Sequence, residues 1–406
     1  MYLIFAWRYF KAKKSTNAIN IISWVTLLVI AFSTMCQVLV LSVFNGFEDL
    51  VKSLYSNFYT DIRVIATKGK TIFLSQEQVN SIKKFAGVKN ISLIVEEKAL
   101  LQNGEAQTVV FLKGVDNNYS KVSGVPQKML KGNFEPGSAD TPQLILGAGI
   151  ESAVGVESDK SLTPLTIFLP KKIAFSSTDP SASLSEGNAY PVGSFAIQQD
   201  FDNKYVITNI DFVKQQMNYA NNEFTAIEIA LINPANTDEL KESLQKKLGD
   251  NYKVQTKYEQ NTSLYNSMRV EKWAIYALLT LILIIAAFNM ISALTMLVLE
   301  KRKDISVLQS LGADKNLILK IFLSEGLILA VTGTAIGLLL ATIVCALQSK
   351  FKIVKLTGNS FLIDYFPVKL IATDFLLVAS TALIIAFIAA WFPAKKAANQ
   401  LFELRN

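Results

Sequence analysis

The sequence predicts a membrane α-helical protein with four transmembrane helices, divided 1+3, and a large extracytoplasmic α+β domain between the first helix and the second. Two observations carry this. The 406 residues are 51% hydrophobic and 18% charged, with a mean hydropathy of +0.32, too apolar for one soluble globule. The excess also falls in four runs without a charge, residues 15–47, 273–299, 326–349 and 375–394. Each reaches the ~20 residues that span a bilayer.

Composition excludes several functions. Histidine is absent, so no Ser-His-Asp or Cys-His nucleophile, His-ligated metal or His switch can form. Cys36 and Cys345 both lie in apolar runs and read as buried thiols. The net charge of +7 fits a membrane protein with basic cytoplasmic ends, and nucleic acid is not needed to explain it.

The elements follow in order. Residues 1–47 comprise an amphipathic start and the first helix. In Phe5-Ala6-Trp7-Arg8-Tyr9-Phe10-Lys11 aromatics alternate with cations, as in a segment lying along the inner membrane face. The first apolar run is too long for a signal-peptide core and reads as a retained helix. Arg8, Lys11, Lys13 and Lys14 precede it. Lys301, Arg302, Lys303, Lys315 and Lys320 stand between the second and third helices, and Lys395, Lys396 and Arg405 follow the fourth. These twelve cations mark one face as cytoplasmic, with both termini on it. Lys350, Lys352, Lys355 and Lys369, in the loop between the third and fourth helices, oppose the rule.

Residues 48–270 read as the external domain. A strand over 62–65 precedes a helix capped by Ser75, with Val79, Ile82 and Phe85 as its stripe and Gly87 as its stop. Strands follow over 91–95 and 109–112, with Asn103-Gly104 as the turn. The pattern recurs at the far end. A strand over 224–232 leads to a helix capped by Asn236, with Glu239 as a capping-box partner. Leu240, Leu244 and Leu248 form its stripe, Gly249 ends it, and a strand over 252–256 follows. Two β-α-β units predict a ferredoxin-like subdomain, with residues 113–215 inserted as a β-rich subdomain. Within the insert, residues 170–191 form a Ser-rich connection of ~20 residues between strands 165–169 and 192–197, either a protruding arm or a surface loop. Gly147-Ala148-Gly149 reads as a turn, because Gly155 is misplaced for a dinucleotide fingerprint.

Residues 271–406 hold the remaining helices. Gly326, Ala330, Gly333, Gly337 and Ala341 put small residues on one face of the third helix, as in a helix packed inside a bundle. Glu325 beside them reads equally as a cap for the preceding loop or as an interfacial carboxylate in water. The loop 300–313 predicts a short amphipathic helix with a stripe at Ile305, Leu308 and Leu311, ended by Gly312. It would lie on the membrane or dock in a groove of a cytoplasmic partner. No GxxxxGK[ST] loop occurs, so ATP would have to bind another chain.

These residues resemble a family. The loop EKRKDISVLQSLGA is similar to the coupling-helix signature of FtsX/MacB-type ABC permeases: Glu300, Arg302, Ile305, Leu308, Gly312 and Ala313 match, and Asp304 replaces the usual Glu. The tail FPAKKAANQLFELR resembles the family ending, with Leu401 in place of its second Pro. The run Val40-Leu41-Ser42-Val43-Phe44-Asn45-Gly46-Phe47-Glu48 and the segment YPVGSFAIQQDFDNKYVITNI resemble the lipoprotein-releasing branch, the LolC/LolE type.

The resemblance implies a MacB-like periplasmic core, an FtsX-like permease domain and an inner-membrane location. It implies a second permease chain, identical or sibling, and a cytoplasmic ABC ATPase contacted by Glu300, Arg302, Asp304, Ile305, Leu308, Leu311, Gly312 and Ala313. Lipoprotein substrates would enter a cavity for which Val29, Phe32, Ser33, Met35, Phe288, Asn289 and Met290 are candidates. The arm stands where the family carries a hook for a periplasmic lipoprotein carrier, which makes Lys171, Lys172, Ile173 and Phe175 the candidate contacts. Gly326, Gly333 and Gly337 would serve helix packing. No cofactor, metal or catalytic residue is expected. The alternatives are export of a peptide or small molecule, or signalling across the membrane, by a permease of the same superfamily. A membrane receptor is a further alternative, and the coupling-helix pattern argues against it.

Overall fold

The computed structural model describes residues 17–172, 183–356 and 365–399. The segment 5–11 and the tail 400–406 lie outside the described residues. The chain divides into two compact units, Met1–Leu50 with Asn266–Asn406, and Val51–Tyr265. In order, the elements begin α1 (Asn17–Phe58), β1 (Ile62–Ala66), β2 (Ile72–Phe73), α2 (Gln76–Lys83), β3 (Val88–Asn103), β4 (Ala106–Val115), β5 (Met129–Gly132) and β6 (Gln143–Gly147). They continue with α3 (Ala148–Ala153), β7 (Leu165–Pro170), β8 (Leu184–Phe195), α4 (Gln199–Asp202), β9 (Tyr205–Asn209), α5 (Ile210–Met217), β10 (Glu223–Phe224), β11 (Ala226–Leu231), α6 (Thr237–Leu248) and β12 (Tyr252–Thr256). The last are α7 (Lys257–Gln260), α8 (Thr262–Glu300), α9 (Arg302–Ser310), α10 (Lys315–Phe351) and α11 (Ala372–Ala398).

The unit Val51–Tyr265 is organised by one ten-stranded sheet, in the order β12-β1-β11-β3-β4-β9-β6-β8-β5, with β7 bridging β3 and β8. Neighbours from β12 to β3 are all antiparallel. The helices α2 and α6 are the crossovers from β1 to β3 and from β11 to β12. β3 serves three ladders, one of them the short pairing of Leu100–Gln102 with β7. Its first half pairs with β11 and its second half with β4, so the sheet runs unbroken from the four outer strands into the segment expected as a separate insert. The β3–β4 hairpin turns at Gly104, whose φ of +58° is the left-handed conformation that glycine adopts without strain.

Caps confirm one expectation and overturn another. Ser75 Oγ accepts the Gln78 amide at 3.2 Å, while Gln78 Oε1 accepts the Ser75 amide at 2.9 Å, a complete capping box. Asn236 stands at the N-cap of α6 but makes no capping bond. Pro234 places a 3₁₀ turn ahead of the helix, and Asn233 Oδ1 takes the Ala235 amide at 3.1 Å. The local bond moves upstream, so the box with Glu239 does not form. On α6, Gln245 turns onto the outermost strand. Its amide nitrogen donates to Tyr252 O at 2.7 Å and its oxygen accepts from Val254 N at 2.9 Å. This covers a strand edge that would otherwise be free to pair.

The connection expected over 170–191 is shorter. β8 begins at Leu184 and pairs with β7 from Leu165↔Ala189 to Pro170↔Leu184. Along 184–191 the buried positions are Ser185, Gly187, Ala189 and Pro191. The strand alternation is present but carried by small side chains, which an apolar period does not register.

A cluster of charged side chains sits in this unit's core. Lys113 Nζ lies 2.7 Å from Glu228 Oε1, both side chains at most 2% exposed, and Arg63 lies 3.0 Å from Glu96. Lys113 also stands 4.8 Å above the Phe58 ring and 4.9 Å above that of Tyr119. Burial alone would lower the Lys113 ammonium, but Glu228 foremost outweighs it and holds the group above its usual value. Burial alone would raise the Glu96 carboxyl, but Arg63 and then Lys113 bring it below its usual range.

In the other unit, α1, α8, α10 and α11 are each long and apolar enough to cross a membrane. All four extend past their apolar runs. The small face of α10 is the packing seam. A Cβ on Gly337 would overlap Thr34 Oγ1 and the Ala31 carbonyl. One on Gly333 would sit 3.0 Å from Ile30 Cγ2, and one on Gly326 2.6 Å from the Ala390 methyl. Small residues here let α1 and α11 approach the α10 backbone.

Candidate functional site

The short helix α9 between α8 and α10 is amphipathic, but its apolar faces differ from the expected stripe. Ile305 is 2% exposed and packs with Leu297, Val298, Ile318 and Phe322. Leu308 is half-buried. Leu311 is 81% and Val307 59% exposed. One apolar residue therefore anchors the helix to its bundle, and two face outward. Near its start, Lys301 pairs with Asp304 at 3.3 Å. Arg302 and Lys303 are exposed, and Glu300 is partly buried.

The Gly-Ala pair has a mechanical reason. Gly312 has φ +90°. Its amide donates to Gln309 O at 3.0 Å, and the Ala313 amide donates to Leu308 O at 2.9 Å. This is a Schellman stop, which requires the left-handed residue. Asp314 Oδ1 then accepts the Leu317 amide at 2.9 Å and starts α10. The turn is thereby held from both sides. Glu325 is buried, so the reading of a carboxylate in water does not hold.

At the far end of the bundle, three helices meet at a polar cluster. Asn45 on α1 donates to Asp374 Oδ2 on α11 at 2.6 Å. Lys272 on α8 donates to Asn45 Oδ1 at 2.8 Å. The next residues of the same motif serve the loop before α11. A Cβ on Gly46 would collide with the Pro367 carbonyl. Phe47 meets Phe366 edge to face at 5.8 Å, and Lys369 reaches Asp49 at 2.6 Å. Sequence reasoning had marked Asn45 through its motif only and missed both charged partners. Their signal was position: Lys272 and Asp374 are the residues immediately before apolar runs.

The seven cavity candidates do not share a face. Phe32 and Phe288 are 64% and 63% exposed, and Asn289 is exposed too. Met290 and Ser33 are buried, Met290 in the bundle core. Val29 and Met35 are intermediate. Three of the seven thus face outward and two are internal packing.

Of the arm candidates, Ile173 and Phe175 lie outside the described residues. The Lys171 amide donates to Ser183 O at 2.9 Å, closing the β7–β8 hairpin. Lys172 Nζ is 2.6 Å from each Glu223 oxygen and lies over the Phe73 ring at 5.1 Å. Burial would raise the Glu223 carboxyl, but Lys172 outweighs it and the group stays below its usual range. Lys172 is therefore committed to the base of the hairpin. Among the described residues no group of three Cys, Asp or Glu could hold a metal.

Two family models match separate parts of the chain, and the second match crosses from one compact unit into the other. Residues 276–401 match the FtsX-like permease C-terminal family and residues 23–165 the MacB-like periplasmic core domain. The lipoprotein-releasing system transmembrane protein LolC of Xylella fastidiosa (strain 9a5c) is 25% identical, the alignment covering 97% of this chain and 95% of that protein. LolE of Haemophilus influenzae is 24% identical over 97% and 96%. The solved periplasmic region of MacB from Actinobacillus actinomycetemcomitans aligns with 52% of this chain and 95% of its own, at 12% identity and a TM-score of 0.36.

Proposed function

We propose that this chain, which belongs to the FtsX/MacB-type permeases and is similar along nearly its full length to the LolC/LolE proteins, is the transmembrane subunit of an ABC transporter that releases lipoproteins from the inner membrane. The unit Val51–Tyr265 then lies in the periplasm and both termini in the cytoplasm. Its outer strands form a ferredoxin-like subdomain, a reading supported by the β12-β1-β11-β3 order and its two helical crossovers. Residues 113–215 are the insertion. The chain hydrolyses nothing itself; ATP is used by a separate cytoplasmic subunit.

One observation carries this reading: α9 is anchored through Ile305 while Leu311 and Val307 stand exposed beside it. An isolated apolar edge, on a helix whose stop is locked by Gly312, fits a groove on a partner and transmits a push without deforming. ATP is needed because drawing acyl chains from lipid costs ~0.8 kcal/mol per CH₂, tens of kcal/mol for a triacylated anchor. The outward apolar faces of α1 and α8, with Phe32 and Phe288, belong to the wall the substrate meets between this chain and a second permease chain. The connection between β7 and β8 is the segment that meets a periplasmic carrier.

The test is affinity purification in mild detergent of the wild type and of Leu311→Asp. A cytoplasmic ATPase and lipoproteins that co-purify with the wild type, with the ATPase lost from the variant, agree with the reading. An ATPase recovered equally from both refutes the docking edge. An intact wild-type preparation without any ATPase refutes the transporter.

A further inference from the structure

The four lysines that oppose the charge rule border a groove at the end of the bundle away from α9. Its volume is about 510 Å³, and its walls include Leu39 and Val43 of α1, Val344 and Leu347 of α10, and Ile353 and Val354 beyond. That is the size range of built ligand sites. Its one amide side chain is spent: Gln348 donates to Val354 O at 3.0 Å and Phe366 O at 3.1 Å, and accepts the Val354 amide at 2.8 Å. Apart from the Cys345 thiol, the groove therefore offers an occupant only aliphatic and aromatic surface, the Phe366 ring included.

Its rim is the opposite. Lys350, Lys352 and Lys355 are all exposed, and Lys352 and Lys355 flank the lining pair Ile353-Val354. Lys352 closes α10 in the left-handed region, at φ +50°, an uncommon conformation for lysine, and its ammonium lies 4.1 Å from the Tyr365 ring centroid. Asp49 of α1 is taken by Lys369 at 2.6 Å.

We infer that this groove holds one acyl chain of an anionic phospholipid, with the phosphate headgroup over Lys350, Lys352 and Lys355. The occupant follows from complementarity at both ends: an apolar chain for a groove whose amide is used, and a negative head for three exposed lysines within residues 350–355. It also explains why cations are kept where the charge rule disfavours them. The inference stands apart from the proposed function.

The test is native mass spectrometry of the intact complex, purified in mild detergent and titrated with phosphatidylglycerol or phosphatidylcholine. The wild type is expected to retain phosphatidylglycerol preferentially, and the preference to fall about fivefold for each lysine neutralised in the Lys350→Gln, Lys352→Gln, Lys355→Gln series. Val344→Trp, at a position 43% exposed, fills the groove and should abolish retention of both lipids without changing the melting temperature in detergent. If that variant melts early, Ile353→Trp, at a position 65% exposed, takes its place. Equal retention of the two lipids by the wild type would overturn the inference. So would retention unchanged by both tryptophans, or recovery of a lipoprotein acyl chain, rather than a phospholipid, crosslinked at Leu347.

Discussion

The ammonium of Lys272 stands 3.3 Å from both carboxylate oxygens of Asp374. Asn45 joins the pair, donating to one and accepting from the other. Three helices from distant parts of the chain are thereby tied at one level. Each charged group has its partner in a setting where an unpaired charge is costly.

Removing one partner strands the other. Asp374→Ala should destabilise the purified protein by about 2 kcal/mol. This is less than the 3–5 of a fully buried pair, because Lys272 keeps 28% of its side chain exposed. Lys272→Met combined with Asp374→Leu should recover part of that loss. Thermal melts of Lys272→Met, Asp374→Leu and the double variant read the coupling, and purely additive losses would mean the pair does not interact.

The small face of α10 predicts a ranking. Gly337→Ala should be worse tolerated than Gly333→Ala, because its methyl would overlap an α1 carbonyl and Thr34 Oγ1. At Gly333 the nearest atom is an Ile30 methyl at 3.0 Å, a side chain able to give. Overpacking of this kind costs about 1–3 kcal/mol or more. Folded yield and melting temperature in detergent measure it, and the reverse order would refute the seam.

α9 separates two kinds of apolar residue. Ile305→Asp should reduce folded protein, since it buries a charge in the cluster with Leu297 and Phe322. Val307→Asp should leave the melt within about 0.5 kcal/mol of wild type, as surface changes do, and weaken ATPase binding alone. Size-exclusion profiles alongside co-purification distinguish the two.

Stability should depend on pH through the charged core of the unit Val51–Tyr265. The Glu96 carboxyl is depressed in the folded state, so its contribution is present above the unfolded value of about 4.3 and is lost as pH falls toward the folded value. The Lys113 ammonium is raised, so its contribution is full below about 10.4 and is lost as pH rises through the folded value. Glu96→Gln should flatten the acid limb of a melting-temperature profile and leave the alkaline limb in place.

What could be read in advance follows from the range of the interactions. The four spans declare themselves in apolar runs of twenty residues or more, and Ser75 and Gly104 announce a cap and a turn through local geometry. Asn45, Lys272 and Asp374 become a cluster only through contacts 102 to 329 residues apart, which no local pattern encodes. Residues 184–191 escaped as a strand because their inward positions are Ser, Gly, Ala and Pro. Ile305 and Leu311 read as one stripe, yet only tertiary packing could tell which one the bundle covers. Phe32 and Phe288 stand with Ser33 and Met290 as cavity candidates only through the family resemblance, and their facing separates them.

The central claim is that an ATP-driven push through α9 frees a lipid-anchored protein. Its most direct measurement is release from proteoliposomes holding this chain, its co-purified ATPase and second permease chain, and a fluorescent lipoprotein, with a soluble acceptor outside. The account predicts release that requires ATP hydrolysis and is lost in Leu311→Asp, while the isolated ATPase keeps its own turnover. ATP hydrolysis by the intact wild-type assembly without transfer of lipoprotein to the acceptor would contradict it.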